Sequence, residues 1–160
     1  MRKDLSEDIG GEDFPGDDLF AIAHSIAELI GGPVTIEDPD TIVLAYSSGQ
    51  QDVDEARVGT ILSRQVPVSV RDALTAEGVF ERLAHTDEVI HVDLPQAQLT
   101  PRAVIAVRAN GQLLGSIWAA VTGRPTASQQ RILSSAAPLV AQLISRERLR
   151  TDGSRRERED

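Results

Sequence analysis

The chain reads as an α+β domain. A central, mostly antiparallel five-stranded sheet carries helices on both faces, in the order α-β-β-α-α-β-β-β-α. Three observations predict this. Helical stretches with apolar residues three and four apart open and close the ordered body. Asn110-Gly111 joins two β-rich runs, the strongest short-range hairpin signal, because both turn residues must reach positive φ. Ile42-Val43-Leu44-Ala45-Tyr46 is apolar on both faces, which predicts a strand covered by helices on each side.

The first helix is set by Leu19, Ile22, Ala23, Ile26, Leu29 and Ile30, with Asp17 and Asp18 at its positive end. Gly31, Gly32 and Pro33 stop it. Strands follow at Val34–Asp38 and Ile42–Ser47, around Asp38-Pro39-Asp40. A helix is expected over Val53–Arg64, capped by Asp52 with Glu55 three residues on. Pro67 breaks it, Ser69 is the expected cap of the next helix, and Gly78 ends that one. Residues 79–85 fit a helical turn or a loop. Three strands close the sheet, at Glu88–Asp93, Ala103–Ala109 and Gln112–Val121. An unbroken Asn-Gly hairpin pairs Arg108 with Leu113, Ala106 with Gly115 and Ala103 with Trp118.

The last helix is expected over Ala127–Leu149, capped by Thr126 and bent at Pro138. It carries two adjacent stripes, Ile132, Ala136, Leu139, Leu143 and Leu133, Ala137, Val140, Ile144. That face is too wide for one partner, so the excess is expected on a second copy of the chain. Ile22, Ile26, Leu133, Val140 and Ile144 are the candidate dimer-interface residues of the two terminal helices. Residues 1–17 read as a disordered acidic tail, 18–149 as the ordered, dimerising domain, and 150–160 as a charged tail or linker.

Composition sets the outer limits. A chain of 160 residues suits one domain, and 41% apolar residues suffice for a core. Aromatics are 3%, namely Phe14, Phe20, Tyr46, Phe80 and Trp118, so the core is aliphatic. A net charge of −9 repels phosphate backbones, which argues against direct nucleic-acid contact. Without cysteine there is no disulfide and no thiolate chemistry. No apolar run approaches the ~18 residues of a membrane span. The polar N-terminus is unlike a secretory signal, so a cytoplasmic location is expected.

Catalytic and metal constellations are not found. His24, His85 and His91 are not at ligand spacing, so neither a metal nor another cofactor is expected. Ser47-Ser48-Gly49 is no nucleophile elbow, and Asp52, Asp54 and Glu55 read as a helix start. No enzymatic activity is expected. In folds of this type a small-molecule pocket lies between the sheet and the middle helices, and Tyr46, Ser116 and Trp118 are candidate lining if theirs is the pocket face. Arg102 and Arg108 are candidates to hold a ligand carboxylate. For Arg108 a strand-end ion pair competes with that role, and for Trp118 core filling does.

Four runs, GGPVTIEDPDTIVLAYSS, DVDEARVGTILSRQVP, EVIHVDLPQ and PRAVIAVRANGQLLGSIWAA, carry a resemblance. They resemble the N-terminal GAF-like region of the PucR/CdaR group of bacterial transcription regulators, over about Leu19 to Leu149. The element order also matches GAF and PAS sensory domains. The resemblance implies cytoplasmic sensing of a small metabolite, homodimerisation, and DNA binding by a C-terminal helix-turn-helix. No such helices follow Leu149 here, so DNA contact is not expected from these residues. The alternative is a ligand-free structural dimerisation or protein-interaction module.

Overall fold

The structure, a computed structural model, describes residues 17–159. The expected acidic tail lies outside these residues except for Asp17, which begins the first helix. The elements are α1 (Asp17–Ile30), β1 (Val34–Glu37), β2 (Val43–Tyr46), α2 (Glu55–Ser63), α3 (Val68–Ala76), α4 (Val79–His85), β3 (Ile90–Leu94), β4 (Leu99–Ala109), β5 (Gln112–Ala120) and α5 (Ala127–Glu159). Short 3₁₀ turns lie at Gln50–Asp52 and Pro95–Ala97. Residues 79–85 are thus a helix.

The sheet order is β2-β1-β5-β4-β3, and every pairing is antiparallel. The terminal helices α1 and α5 cover one face, over Ile22, Ile26, Ile36, Ile105, Val107, Ile117, Leu133 and Val140. The middle helices cover the other, over Leu74, Val79, Leu83, Val92, Val104 and Trp118. Edge strand β2 is only partly covered: Val43 and Ala45 are buried, while Leu44 and Tyr46 are half-buried.

The β4–β5 hairpin turns as its sequence dictates, with φ of 54° at Asn110 and 78° at Gly111. Its register is corrected by a bulge. Arg108 faces Leu113, but the next pair is Val107 with Gly115, so Trp118 sits opposite Val104, not Ala103. The shift falls beside the end of β1, which pairs with β5 as far as Glu37 opposite Ser116. A Cβ on Gly115 would lie 2.2 Å from the carbonyl oxygen of Glu37. The extra residue brings this bare backbone to the end of β1. It also places Ser116 and Trp118 on the face of the middle helices with Arg102 and Val104.

Two caps also differ from expectation. Asp54, not Asp52, caps α2, because Asp52 is drawn into the 3₁₀ turn and Asp54 Oδ1 accepts the N–H of Arg57 at 2.8 Å. Pro67 takes the position before α3, and Ser69 lies inside its first turn. Thr126 caps α5 as expected: its hydroxyl accepts the N–H of Gln129 at 3.1 Å, and Gln129 Oε1 accepts the N–H of Thr126 at 2.9 Å. The helix runs through Pro138 and past the expected end at Leu149 to Glu159. Arg and Glu are good helix formers and continue it without an apolar stripe.

The wide face of α5 finds most of its cover within the chain. Helix α1 lies antiparallel beside it: Gln129 Nε2 donates to Ile30 O at 3.1 Å, and Arg146 reaches Asp18 at 3.4 Å near the other end. Ile22, Ile26, Leu133, Val140 and Ile144, the expected interface residues, are all buried in this one subunit. They are core because the stripe of α1 meets one flank of α5 while the sheet meets the other. Only a narrow band stays open to solvent. Leu29 is 50% and Leu139 40% exposed, with half-buried Ile132 between them along a groove of about 310 Å³.

Candidate functional site

The sheet face under α2 and α3 carries buried charge. In β1 the side chains alternate, so Val34 and Ile36 join the α1/α5 core while Thr35 and Glu37 turn toward the middle helices. Glu37 is 3% exposed, and a second register shift falls between Ile36 and Glu37. Its Oε2 accepts the Thr35 hydroxyl at 2.9 Å, and its Oε1 is buried without a partner.

Arg57 enters from the first turn of α2 and is 4% exposed. Its Nη1 donates to Gln50 Oε1 at 2.7 Å, and Nη2 lies 3.5 Å from Trp118 O. Gln50 is itself fixed, since its Nε2 donates to Val34 O at 3.0 Å and Ser47 O at 2.8 Å. Ser47 Oγ in turn accepts the N–H of Val34 at 2.9 Å. The Ser47-Ser48-Gly49 turn therefore positions an arginine indirectly, through Gln50.

Arg102 reaches the chamber from β4. Its Nη2 pairs with Asp54 Oδ2 at 2.8 Å, and its Nη1 donates to Thr100 O and Thr100 Oγ1, both at 2.7 Å. Asp54 Oδ2 also accepts Thr100 N at 3.0 Å. One carboxylate thus caps α2, grips β4 and neutralises Arg102.

After that pairing, two opposite charges are left. Among the described residues Arg57 has no carboxylate within ion-pair distance, and no cation hydrogen-bonds Glu37. Burial pushes the Glu37 carboxyl up to about 7, against the lowering effects of Thr35, Arg57 and Arg102. Burial, then the charge of Arg102, draws the Arg57 guanidinium down to about 9, still protonated at neutral pH. Burial raises Asp54 too, but the Thr100 N–H, the Arg102 charge and the Arg57 N–H outweigh it and hold its carboxyl below the usual range.

Glu37, Arg57 and Arg102, with Thr60, Val66, Val70, Leu74, Leu99 and Trp118, line a cavity of about 30 Å³. That is room for one water. The cover over it is lightly anchored. Helix α2 buries only Arg57 and Thr60, and α3 only Leu74, while Leu62 and Val68 are 82% and 73% exposed. Elements with so little buried apolar surface open locally at low cost.

The expected site residues divide. Arg102 and Trp118 line the chamber, and Ser116 fixes the indole by accepting its Nε1–H at 2.7 Å. Tyr46 lies elsewhere, on the edge strand, with Phe20 edge-on at 5.1 Å and Arg64 stacked at 4.8 Å. Edge position turns its ring toward α1 and the end of α2. Arg108 sits six residues along β4 from Arg102, and its Nε and Nη2 are taken by structure while Nη1 is buried without a partner. It donates to the carbonyls of Leu83 and Thr86 and pairs with Asp87 at 3.3 Å, closing the end of α4. Glu37, Asp54 and Arg57 were not among the sequence candidates. Thr35 and Glu37 share a strand face, and Arg57 and Thr60 share a helix face, which is the signal that marks them.

A larger open cleft of about 650 Å³ lies by β3, among Arg82, His85, Glu88, His91, Arg124 and Gln130. It is open to solvent, and Val89, Ile90 and Pro125 form the apolar part of its lining. No group of three metal-ligating side chains occurs among the described residues, and no helix there is long and apolar enough to cross a membrane.

No protein-family model matches the chain. It is similar to the DNA-binding transcriptional activator AdeR of Bacillus subtilis, 38% identical over 104 residues, spanning 64% of this chain and 25% of AdeR. It is similar to the proline-responsive transcriptional activator PutR of the same organism, 28% identical over 107 residues, spanning 66% of this chain and 26% of PutR. The chain thus spans about a quarter of the length of these relatives. Among solved structures it resembles the GAF domain of an Acinetobacter phosphoenolpyruvate-protein phosphotransferase, with TM-score 0.54, 10% identity, and 91% and 90% of the two chains covered. The GAF domain of the nutrient sensor CodY from Clostridium difficile gives TM-score 0.51 at 15% identity, covering 86% and 88%. With five antiparallel strands between two helical layers, the chain has the fold of a GAF domain.

Proposed function

We propose that the chain is the regulatory region of a cytoplasmic bacterial transcription regulator of the PucR/CdaR kind. It binds a small metabolite between the sheet and helices α2 and α3, and it is not an enzyme. The observation that carries this reading is the 38% identity to a transcriptional activator over 104 residues, on a chain with the GAF fold. The proline-responsive relative supports a metabolite as the signal. The chamber supports its place, since buried charge without a partner is costly and a ligand relieves that cost.

The active form is a homodimer whose contact is the band of Leu29, Ile132 and Leu139, extended along α5. This helix has 33 residues, about 50 Å at the usual rise, and Leu149 on it is 72% exposed. A polar helical extension of this kind is marginal alone and gains from a partner helix. A ligand acts by favouring one arrangement of the two α5 helices over another.

The second reading is a ligand-free dimerisation module, favoured by the small size of the closed cavity. Thermal unfolding of the 160-residue chain against a broad metabolite collection separates the two. The regulator reading expects at least one class of compound to raise Tm. No shift from any class selects the structural module.

A further inference from the structure

We propose that the open cleft beside β3 is a ligand site separate from the chamber, and that it takes a small hydroxylated phosphate monoester.

The cleft sits where three parts of the fold meet. The end of α4 brings Arg82 and His85, the approach to β3 and the strand itself bring Glu88 and His91, and the start of α5 brings Arg124 and Gln130. Its volume of about 650 Å³ falls in the ordinary range of small-molecule sites. The wall at Thr86 is fixed, since Arg108 donates to the carbonyls of Leu83 and Thr86. Strand β3 is also an edge of the sheet, so part of its backbone N–H groups is used by no neighbouring strand.

The charges converge without being matched. The side chains of Arg82 and Arg124 make no hydrogen bond or ion pair among the described residues. His91 Nε2 is buried and has no partner. Two permanent cations and two imidazoles thus share the cleft with one carboxylate, on a chain whose net charge is −9. A field of that sign repels anions in general, so an anion held here is held by local contacts. A single carboxylate satisfies one guanidinium in a bidentate pair. A phosphate monoester carries nearly two charges and three acceptor oxygens, enough for both arginines and an imidazole.

The remaining polar groups are acceptors. Gln130 Nε2 is taken by Pro125 O at 3.3 Å, which leaves its Oε1, and Glu88 offers its carboxylate. Both call for hydroxyl donors on the body of the ligand. Val89, Ile90 and Pro125 give the carbon skeleton an apolar surface.

The histidines supply the readout. His85 and His91 line the cleft, and His24, exposed on α1, does not. The 160-residue chain, in phosphate-free buffer at pH 7, is titrated with glucose 6-phosphate and glycerol 3-phosphate. Parallel titrations use glucose, inorganic phosphate and succinate. The ring Cε1–H resonances of the histidines and the Trp118 Nε1–H resonance are followed. The expected result is saturable movement of His85 and His91 with the phosphate esters, while His24 and Trp118 stay in place. Inorganic phosphate should bind about tenfold more weakly, and glucose not at all. Arg82→Gln and Arg124→Gln, both at exposed positions, should each weaken binding about tenfold in a chain still folded by circular dichroism. Arg146→Gln, far along α5, should keep wild-type affinity.

Succinate matching the esters overturns the phosphate assignment. Movement of His24 together with the cleft histidines, or affinity unchanged in both folded arginine variants, means diffuse counter-ion binding only and overturns the site. Silence of His85 and His91 toward every compound overturns it too. Because Trp118 reports the chamber separately, each of these failures leaves the regulator reading standing.

Discussion

At the scale of single residues, Glu37 ought to govern how stability depends on pH. Its folded pKa, about 7, lies above the ordinary value of 4.5. The folded state therefore holds this proton more tightly than the unfolded state. The contribution of Glu37 is fully present below about pH 4.5 and is lost as pH rises through 7. The loss is on the order of 3 kcal/mol for a fully buried carboxyl. Asp54 acts in the opposite sense, since its lowered pKa stabilises above 3.8 and the benefit goes as pH falls. Urea unfolding of wild type and Glu37→Gln between pH 5 and 8 checks this. The wild type should weaken with rising pH and the variant should not. Neither Glu37 nor Arg57 is conspicuous in the sequence. Glu37 falls at the end of the expected strand Val34–Asp38, beside the Asp38-Pro39-Asp40 turn, and Arg57 stands in a polar first turn where solvated arginine is usual. Burial of a charge depends on what the opposite element brings, which one strand or one helix cannot reveal.

At the scale of elements, the two junctions made by Gly115 and Arg108 fix the frame around the chamber. Gly115→Ala drives a methyl into the β1 carbonyl and should cost about 1–3 kcal/mol, measured by denaturant unfolding. Arg108→Ala leaves the end of α4 without its donors and should cost about 1–2 kcal/mol, with metabolite affinity unchanged. A loss of affinity without a loss of stability would return Arg108 to the binding site. Most elements are legible in the chain because local signals agree: the stripe of α1, the Asn-Gly turn, and the Thr126 cap with Gln129. The bulge at Val107/Arg108 is not legible, because the strand end it falls beside, that of β1, is far away in sequence. That one-residue slip decides which strand partner faces Trp118, so an unbroken register misplaces half the chamber.

At the scale of the molecule, stripe width alone overstates the surface that α5 offers to a second chain. Helix α1 supplies part of the cover, and what is left is the band of Leu29, Ile132 and Leu139. Leu139→Asp should make the chain monomeric in light scattering at micromolar concentration while leaving the subunit folded by circular dichroism, since Leu139 is 40% exposed and not core. A monomeric wild type would remove the dimer from the account. The architecture then has two faces with separate tasks. An aliphatic layer joins the terminal helices to the sheet, and a charged, thinly covered layer lies under α2 and α3.

The central claim is that the charged layer is where a signal enters. Hydrogen exchange along the chain, with and without a metabolite found to raise Tm and shift the Trp118 resonance, tests it most directly. Amides of α2 and α3 should gain at least tenfold protection on binding, because a ligand seated between the sheet and these helices ties the cover to the sheet. Protection appearing instead around Arg82, His91 and Arg124 in the open cleft, with α2 and α3 unchanged, would contradict it.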